Sequence, residues 1–226
     1  MKYKVRCSSL GVICAKKGFG KTGETLVKKE VANLLYERRH EISTKQIQKG
    51  NICELESIID LQKIKGVECR KNEQRFENDW ITGTPDVILK NEVIDVKNSF
   101  DHTTFPLFES ELDYGYEMQI KGYMWLLGMR SGSVDYFLND MPEELLMSEV
   151  YKAMRIEGLD EVESWLYDKV KEDFTYSHLP LFMRYKSYPV TLTDADITLI
   201  KKNVELANAY GNQLIQQFET LKKNQS

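Results

Sequence analysis

The stretch Thr84-Pro85-Asp86-Val87-Ile88-Leu89-Lys90-Asn91-Glu92-Val93-Ile94-Asp95-Val96-Lys97 decides how this chain is read. Two β-favouring runs flank the polar segment Lys90-Asn91-Glu92, the pattern of a hairpin over residues 84–98. A two-residue turn at Lys90-Asn91 sets Leu89 against Glu92 and Asp86 directly against Asp95. Directly opposed residues have Cβ atoms roughly 4.5–5.5 Å apart. Lys97 lies two residues beyond Asp95 and projects from the same face. A turn at Asn91-Glu92 would set Asp86 against Lys97 and keep all three on that face. A three-residue loop would split them. The opposite face carries Val87, Leu89, Ile94 and Val96, which suit a core.

Two carboxylates this close repel unless a positive charge stands between them. With no Cys or His nearby, hard oxygen donors favour Mg²⁺ or Mn²⁺ over zinc. An adjacent Lys then balances charge or holds a water. Such equipment suits phosphodiester hydrolysis, in which a divalent ion lowers the pKa of water and offsets the developing negative charge. A plain surface hairpin with an Asp–Lys salt bridge is the simpler alternative.

Working outward, residues 23–40 read as a helix with Leu26, Val27, Val31, Leu34 and Leu35 on one face. Residues 51–64 read as a second helix after a break at Lys49-Gly50. On it Glu54 shares a face with Ile58 and Leu61, whereas Glu56 shares one with Asp60 and Lys63 and faces solvent. Residues 113–129 read as a helix that sets Gln119 and Tyr123 one turn apart on one face. Residues 144–173 read as acidic, amphipathic helix and residues 181–191 as a strand. Thr193 caps a long closing helix with Asp194 and Asp196 in its first turn. Helices around a strand-rich middle indicate an α/β or α+β domain.

The 226 residues allow one large domain or two small ones. No repeat and no Pro/Gly/Ser-rich linker divides them, so one domain over 1–226 is expected. Hydrophobic residues at 42% and charged ones at 29% fit a globular chain and exclude disorder as its main state. The basic N-terminus lacks an apolar core, so no secretory signal is expected. The longest apolar run, residues 123–129, is too short to span a bilayer. The cysteines at 7, 14, 53 and 69 form no C-x-x-C pair, which points to reduced thiols in the cytoplasm. The net charge of −4 hides an asymmetry: residues 1–49 carry +8 and the rest −12. Blocks of this kind suit a polyanion-binding face beside metal-binding carboxylates, although a solvated basic helix gives the same count. Ala15 to Thr22 imitates a phosphate-binding loop, but Ala15 stands where the first glycine is needed, so ATP binding is not expected.

The pattern Pro85-Asp86 … Asp95-Val96-Lys97 resembles that of the PD-(D/E)xK nuclease superfamily. Gly50-Asn-Ile-Cys-Glu54 and Gln119-Ile-Lys-Gly-Tyr123 resemble the lambda-exonuclease (YqaJ-type) and RecB-like branch. Arg6-Cys-Ser-Ser resembles the R…S segment of phage exonucleases. The resemblance runs in order from residue 6 to about 130, and the apolar strand and helix at about 180–224 are compatible with it. Iron–sulfur relatives carry cysteines downstream of the core, whereas all four here lie upstream.

The resemblance implies a restriction-endonuclease-like α/β core, a small mixed central sheet flanked by helices, with its catalytic part at about 50–130. It implies an Mg²⁺-dependent deoxyribonuclease, with Mn²⁺ substituting, of the phage type that degrades duplex DNA from an end in recombination. Asp86, Asp95, the Val96 carbonyl and Glu54 would hold metal, Lys97 would position the attacking water, and Gln119 and Tyr123 would support the site. Arg6, Ser8 and Ser9 would form an anion pocket for a terminal phosphate. Ser99 and Lys21 are further phosphate contacts. With Lys16, Lys17, Lys28, Lys29, Arg38 and Arg39, Lys21 would make DNA binding salt-dependent. Partners implied are linear duplex ends, a single-strand annealing protein and further copies of the chain, without a membrane, in the cytoplasm (a host's, for a phage protein). An endonuclease or repair nuclease of the same superfamily, and a non-catalytic DNA-binding module, are the competing expectations.

Overall fold

The computed structural model describes residues 4–39 and 43–225. Residues 1–3 of the basic N-terminus, and His40 at the end of the first expected helix, lie outside the described residues. In chain order the elements are β1 (Val5–Arg6), a 3-10 turn (Cys7–Ser9), α1 (Leu10–Ile13), α2 (Lys21–Leu35), α3 (Lys45–Lys65), β2 (Phe76–Glu77), β3 (Ile81–Gly83), β4 (Val87–Ile88) and β5 (Val93–Asn98). There follow α4 (Tyr114–Leu127), β6 (Ser131–Phe137), α5 (Glu143–Glu157), α6 (Ser164–Asp173), a second 3-10 turn (Leu181–Met183), β7 (Tyr185–Thr191) and α7 (Asp194–Gln225). Among the described residues no helix is long and apolar enough to cross a membrane.

The α/β class holds, with two small sheets instead of one. The larger has the order β4-β5-β6-β7 and the smaller β1-β3-β2. In the larger, β5 runs antiparallel to β4 and parallel to β6, while β6 runs antiparallel to β7. A parallel pair needs a crossover, and α4 supplies it between β5 and β6. The alternation along β5 sorts its side chains. Ile94 and Val96 join Ile58 and Leu61 of α3, Val87 and Phe137 in one apolar cluster, with Leu89 packed against it. Val93 faces the other way, in the cluster that holds Ile120 and Met124 of α4 with Val134 and Val190. Asp95 and Lys97 share the face of Val93.

Four expected boundaries move. The second helix begins at Lys45, capped by the Thr44 hydroxyl, which accepts the Ile47 N–H. Lys49-Gly50 does not break it. Gly50 keeps a negative φ, and the left-handed residue that ends α3 is Gly66, φ 65°. Lys49 is wholly buried, and its ammonium donates to the carbonyls of Phe100 (3.0 Å) and Asn139 (2.7 Å). It thereby ties α3 to the segments that follow β5 and β6. The first helix ends at Leu35, and Leu34 stays exposed. The acidic stretch 144–173 is two helices because Gly158, φ 71°, closes α5. Only the later part of 181–191 is strand, since Leu181–Met183 coil into a 3-10 turn. The closing helix starts as expected: Thr193 Oγ1 accepts the Asp196 N–H at 3.2 Å, and Asp196 Oδ2 accepts the Thr193 N–H at 2.9 Å.

Candidate active site

The hairpin has the register of the Lys90-Asn91 turn. Val87 pairs with Ile94 and Ile88 with Val93, and the Leu89 N–H donates to the Glu92 carbonyl at 2.8 Å. Continued by one residue, that register sets Asp86 across from Asp95. Asp86 Oδ2 accepts the Val96 N–H at 2.7 Å, so β5 itself holds the first carboxylate in place.

Asp95 is fully buried. Its Oδ1 accepts from Gln119 Nε2 at 3.1 Å, and the same amide nitrogen lies 3.0 Å from Tyr123 Oη. The one-turn spacing of Gln119 and Tyr123 thus builds a short relay from α4 onto the carboxylate. Asp95 Oδ2 is enclosed. The Lys97 ammonium stands 2.8 Å from it as an ion pair.

The electrostatics follow from burial at close quarters. Burial, then the charge of Asp95, push the Asp86 carboxyl up to about 8, against the pull of Lys97 and the Val96 N–H. Burial draws the Lys97 ammonium down, but the charges of Asp95 and Asp86 outweigh it and leave Lys97 above its ordinary value. Burial and then the Asp95 charge hold the Tyr123 phenol well above its ordinary value, so it stays neutral.

Glu54, Asp86, Asp95, Val96, Lys97 and Gln119 line one open cavity of about 360 Å³, with Gly50, Asn51 and Tyr116 on its walls. Glu54, mostly buried, pairs with Lys71 Nζ at 2.7 Å. Tyr123 opens on a neighbouring cavity of about 290 Å³ that Arg6, Ser8 and Arg75 also line. Ser9 and Lys21 line neither of these two cavities. Ser99 is buried, and its hydroxyl donates to the Thr104 carbonyl at 3.3 Å, which turns it from any phosphate.

Three residues escaped the reading of the sequence. Tyr116 sits one turn before Gln119, so the helical spacing could have found it. Lys71 and Arg75 lie in an irregular stretch whose sequence gives no sign of them.

The donors fit a hard divalent cation in part. Among the described residues no three His, Cys, Asp or Glu side chains close on one point. What the site offers is a pair of carboxylates, one of them with a buried oxygen that meets the Lys97 ammonium, and a third carboxylate paired with Lys71. With the Lys97 ammonium on one side, Asp95 Oδ2 keeps lone pairs that a cation could take.

No family model and no curated protein matches the chain. Solved structures do. A phage-related exonuclease from Haemophilus somnus 129PT is 25% identical, with a TM-score of 0.78 over 96% of this chain and 97% of that one. The chain has the lambda-exonuclease-like fold. An alkaline exonuclease, LHK-Exo, from Laribacter hongkongensis shares that fold at 14% identity and a TM-score of 0.69, over 99% of this chain and 95% of that one. The same protein in complex with dAMP gives a TM-score of 0.66. The lambda-exonuclease-like likeness covers nearly the whole chain, beyond the residue 6 to 130 span that the motifs mark.

Proposed function

We propose that the chain is a divalent-metal-dependent deoxyribonuclease that degrades linear duplex DNA from an end. The observation that carries this reading is the cavity in which Asp86, Asp95 and Lys97 meet. The phage-related exonuclease likeness and the dAMP complex of LHK-Exo support it.

Asp86, Asp95 and the Val96 carbonyl would hold Mg²⁺, or Mn²⁺ in its place. Glu54, once released from Lys71, and Asp86 would help hold a second ion. Such ions supply Lewis-acid stabilisation of the phosphate charge and a lowered pKa for water. Lys97 orients the attacking water with an N–H. Attack on phosphorus breaks the bond to O3′ and leaves a 5′-phosphate on the product. Gln119, braced by Tyr123, fixes Asp95 Oδ1, so this carboxylate does not reorient as charge develops. A cavity lined by carboxylates repels DNA phosphate until a cation enters, which makes metal a requirement for productive binding.

Attack from an end is supported by the neighbouring cavity. Arg6, Ser8 and Arg75 offer two guanidiniums and a hydroxyl, donors that suit a terminal 5′-phosphate. The resemblance places such an enzyme in recombination, where it would act beside a single-strand annealing protein.

The test is cleavage of end-labelled linear duplex and closed circular DNA, in Mg²⁺ or in EDTA, by wild type and Asp95→Ala. Mg²⁺-dependent loss of the linear DNA alone, absent in the variant, is the expected result. Cutting of the circle would establish an endonuclease. Metal-independent binding with no cleavage of either DNA would leave a binding module.

A further inference from the structure

The α4-facing side of the larger sheet carries a row of alternating charge and ring. The parallel register pairs Lys97 with Tyr136, and the antiparallel register pairs Tyr136 with Lys186. Tyr116, in the first turn of α4, stands edge-on to Tyr136, with centroids 6.1 Å apart at 77°. Tyr136 stands edge-on to Tyr188 at 5.8 Å. An aromatic wall therefore separates two lysines, and each lysine lies against one end of it.

The two ammonium groups are used differently. Lys186 Nζ sits 5.2 Å from the centre of the Tyr188 ring and donates to the carbonyls of Pro106 (2.7 Å), Leu107 (3.2 Å) and Glu109 (2.6 Å). With three carbonyls for three N–H groups, it is a fixed structural clamp. Lys97 Nζ sits 4.8 Å from the centre of the Tyr116 ring and 2.8 Å from Asp95 Oδ2. Between a carboxylate and a ring face it keeps donors for something in the cavity that both residues line.

The backbone of Tyr116 is anchored, and Tyr136 stands against its partly exposed ring. Asp113 Oδ1 accepts the N–H groups of Gly115 (2.8 Å) and Tyr116 (3.3 Å) at the start of α4. A lysine side chain is long and rotamer-rich, and a single ion pair leaves its ammonium free to turn about that contact. A ring face attracts an ammonium and stops it from collapsing onto the carboxylates.

We propose that Tyr116 is a positioning residue for the nuclease reaction: its ring face holds the Lys97 ammonium beside Asp95, so that an N–H stays aimed at the attacking water. This rests on the nuclease reading above. Nothing in it needs the Tyr116 hydroxyl.

Two readouts test it on the full chain. The first needs no activity. In lysine-labelled protein the ε-methylene resonance of Lys97, assigned with Lys97→Arg, is displaced upfield by the ring current. Tyr116→Phe keeps the displacement and Tyr116→Leu removes it. The second is cleavage of linear duplex. Tyr116→Leu lowers kcat about tenfold with KM for DNA nearly unchanged, the size expected of one partly desolvated cation–ring contact. Tyr116→Phe restores most of the rate. Tyr116→Met serves in place of the leucine variant if that protein does not fold.

An unshifted Lys97 resonance in wild type overturns the proposal. So does a phenylalanine variant as slow as the leucine one, since the hydroxyl would then matter. A rise in KM with kcat kept overturns it as well, because Tyr116 would then touch DNA directly. If wild type cleaves no DNA, the nuclease reading falls and takes the kinetic half with it. The resonance still decides whether the ring holds Lys97.

Discussion

At the residue scale the site is two carboxylates forced together and a proton that records the strain. The folded chain keeps the Asp86 proton to about pH 8, whereas an unfolded chain gives it up near pH 4. Folded protein therefore binds more protons than unfolded protein across that window, and its stability falls as pH rises through it. Asp86→Asn removes this slope. In EDTA the variant should match wild type near pH 4 and be more stable at pH 8, by on the order of 1 kcal/mol or more, a few degrees in Tm. Mn²⁺ should raise the wild-type Tm more at pH 8 than at pH 6 and leave the variant unmoved. Thermal melts across pH decide this, and a pH-independent difference between the proteins rejects it. Asp86, Asp95 and Lys97 were readable in the sequence because period-two alternation fixes which side chains share a face. Ser99 misled because it lies just past the end of β5, where the chain turns and the Thr104 carbonyl takes up its hydroxyl, a loop contact that no local signal announces.

At the element scale, α3 shows what pattern reading resolves. The faces of Glu54 and Glu56 follow from the helical period, and the structure puts Ile58 and Leu61 in the core beside β5. The start of the helix does not follow. A Lys-Gly pair looks like a stop, yet Lys49 is drawn inward by two carbonyls from distant segments, which no local signal announces. Gly50 is then a glycine inside a helix, with open space where a Cβ would stand. Gly50→Ala should stabilise the fold by about 0.5–1 kcal/mol. Because Gly50 lines the candidate active site, the same methyl group should weaken DNA binding. A melt and a binding titration on one variant test both halves; a lowered Tm, or unchanged affinity with raised Tm, would separate the two claims. The split of residues 144–173 at Gly158 was within reach, since a glycine after an amphipathic run is a usual helix end.

At the scale of the whole molecule, hairpin, crossover helix and closing helix were readable because each carries its own periodicity or cap. The division into two sheets was not, because β1 and β3 pair across a long sequence separation through strands of two and three residues. All four cysteines are buried and unpaired. Burial lifts the Cys14 thiol to about 12 and the Cys53 thiol to about 11, and raises Cys7 and Cys69 as well. A thiolate reagent should therefore label the native chain slowly and all four thiols together once denaturant unfolds it. One fast-reacting thiol in native protein would contradict this packing. The place of β5 has a consequence for how activity is lost. β5 pairs with β6 along its whole length and lies between two apolar clusters, so its ladder amides exchange with solvent only through large openings of the chain. The outlying helix pair α5 and α6, with an apolar cluster of its own, is free to open earlier. The geometry of the candidate site is then among the last things that heating destroys, and DNA cleavage should be lost only with global unfolding.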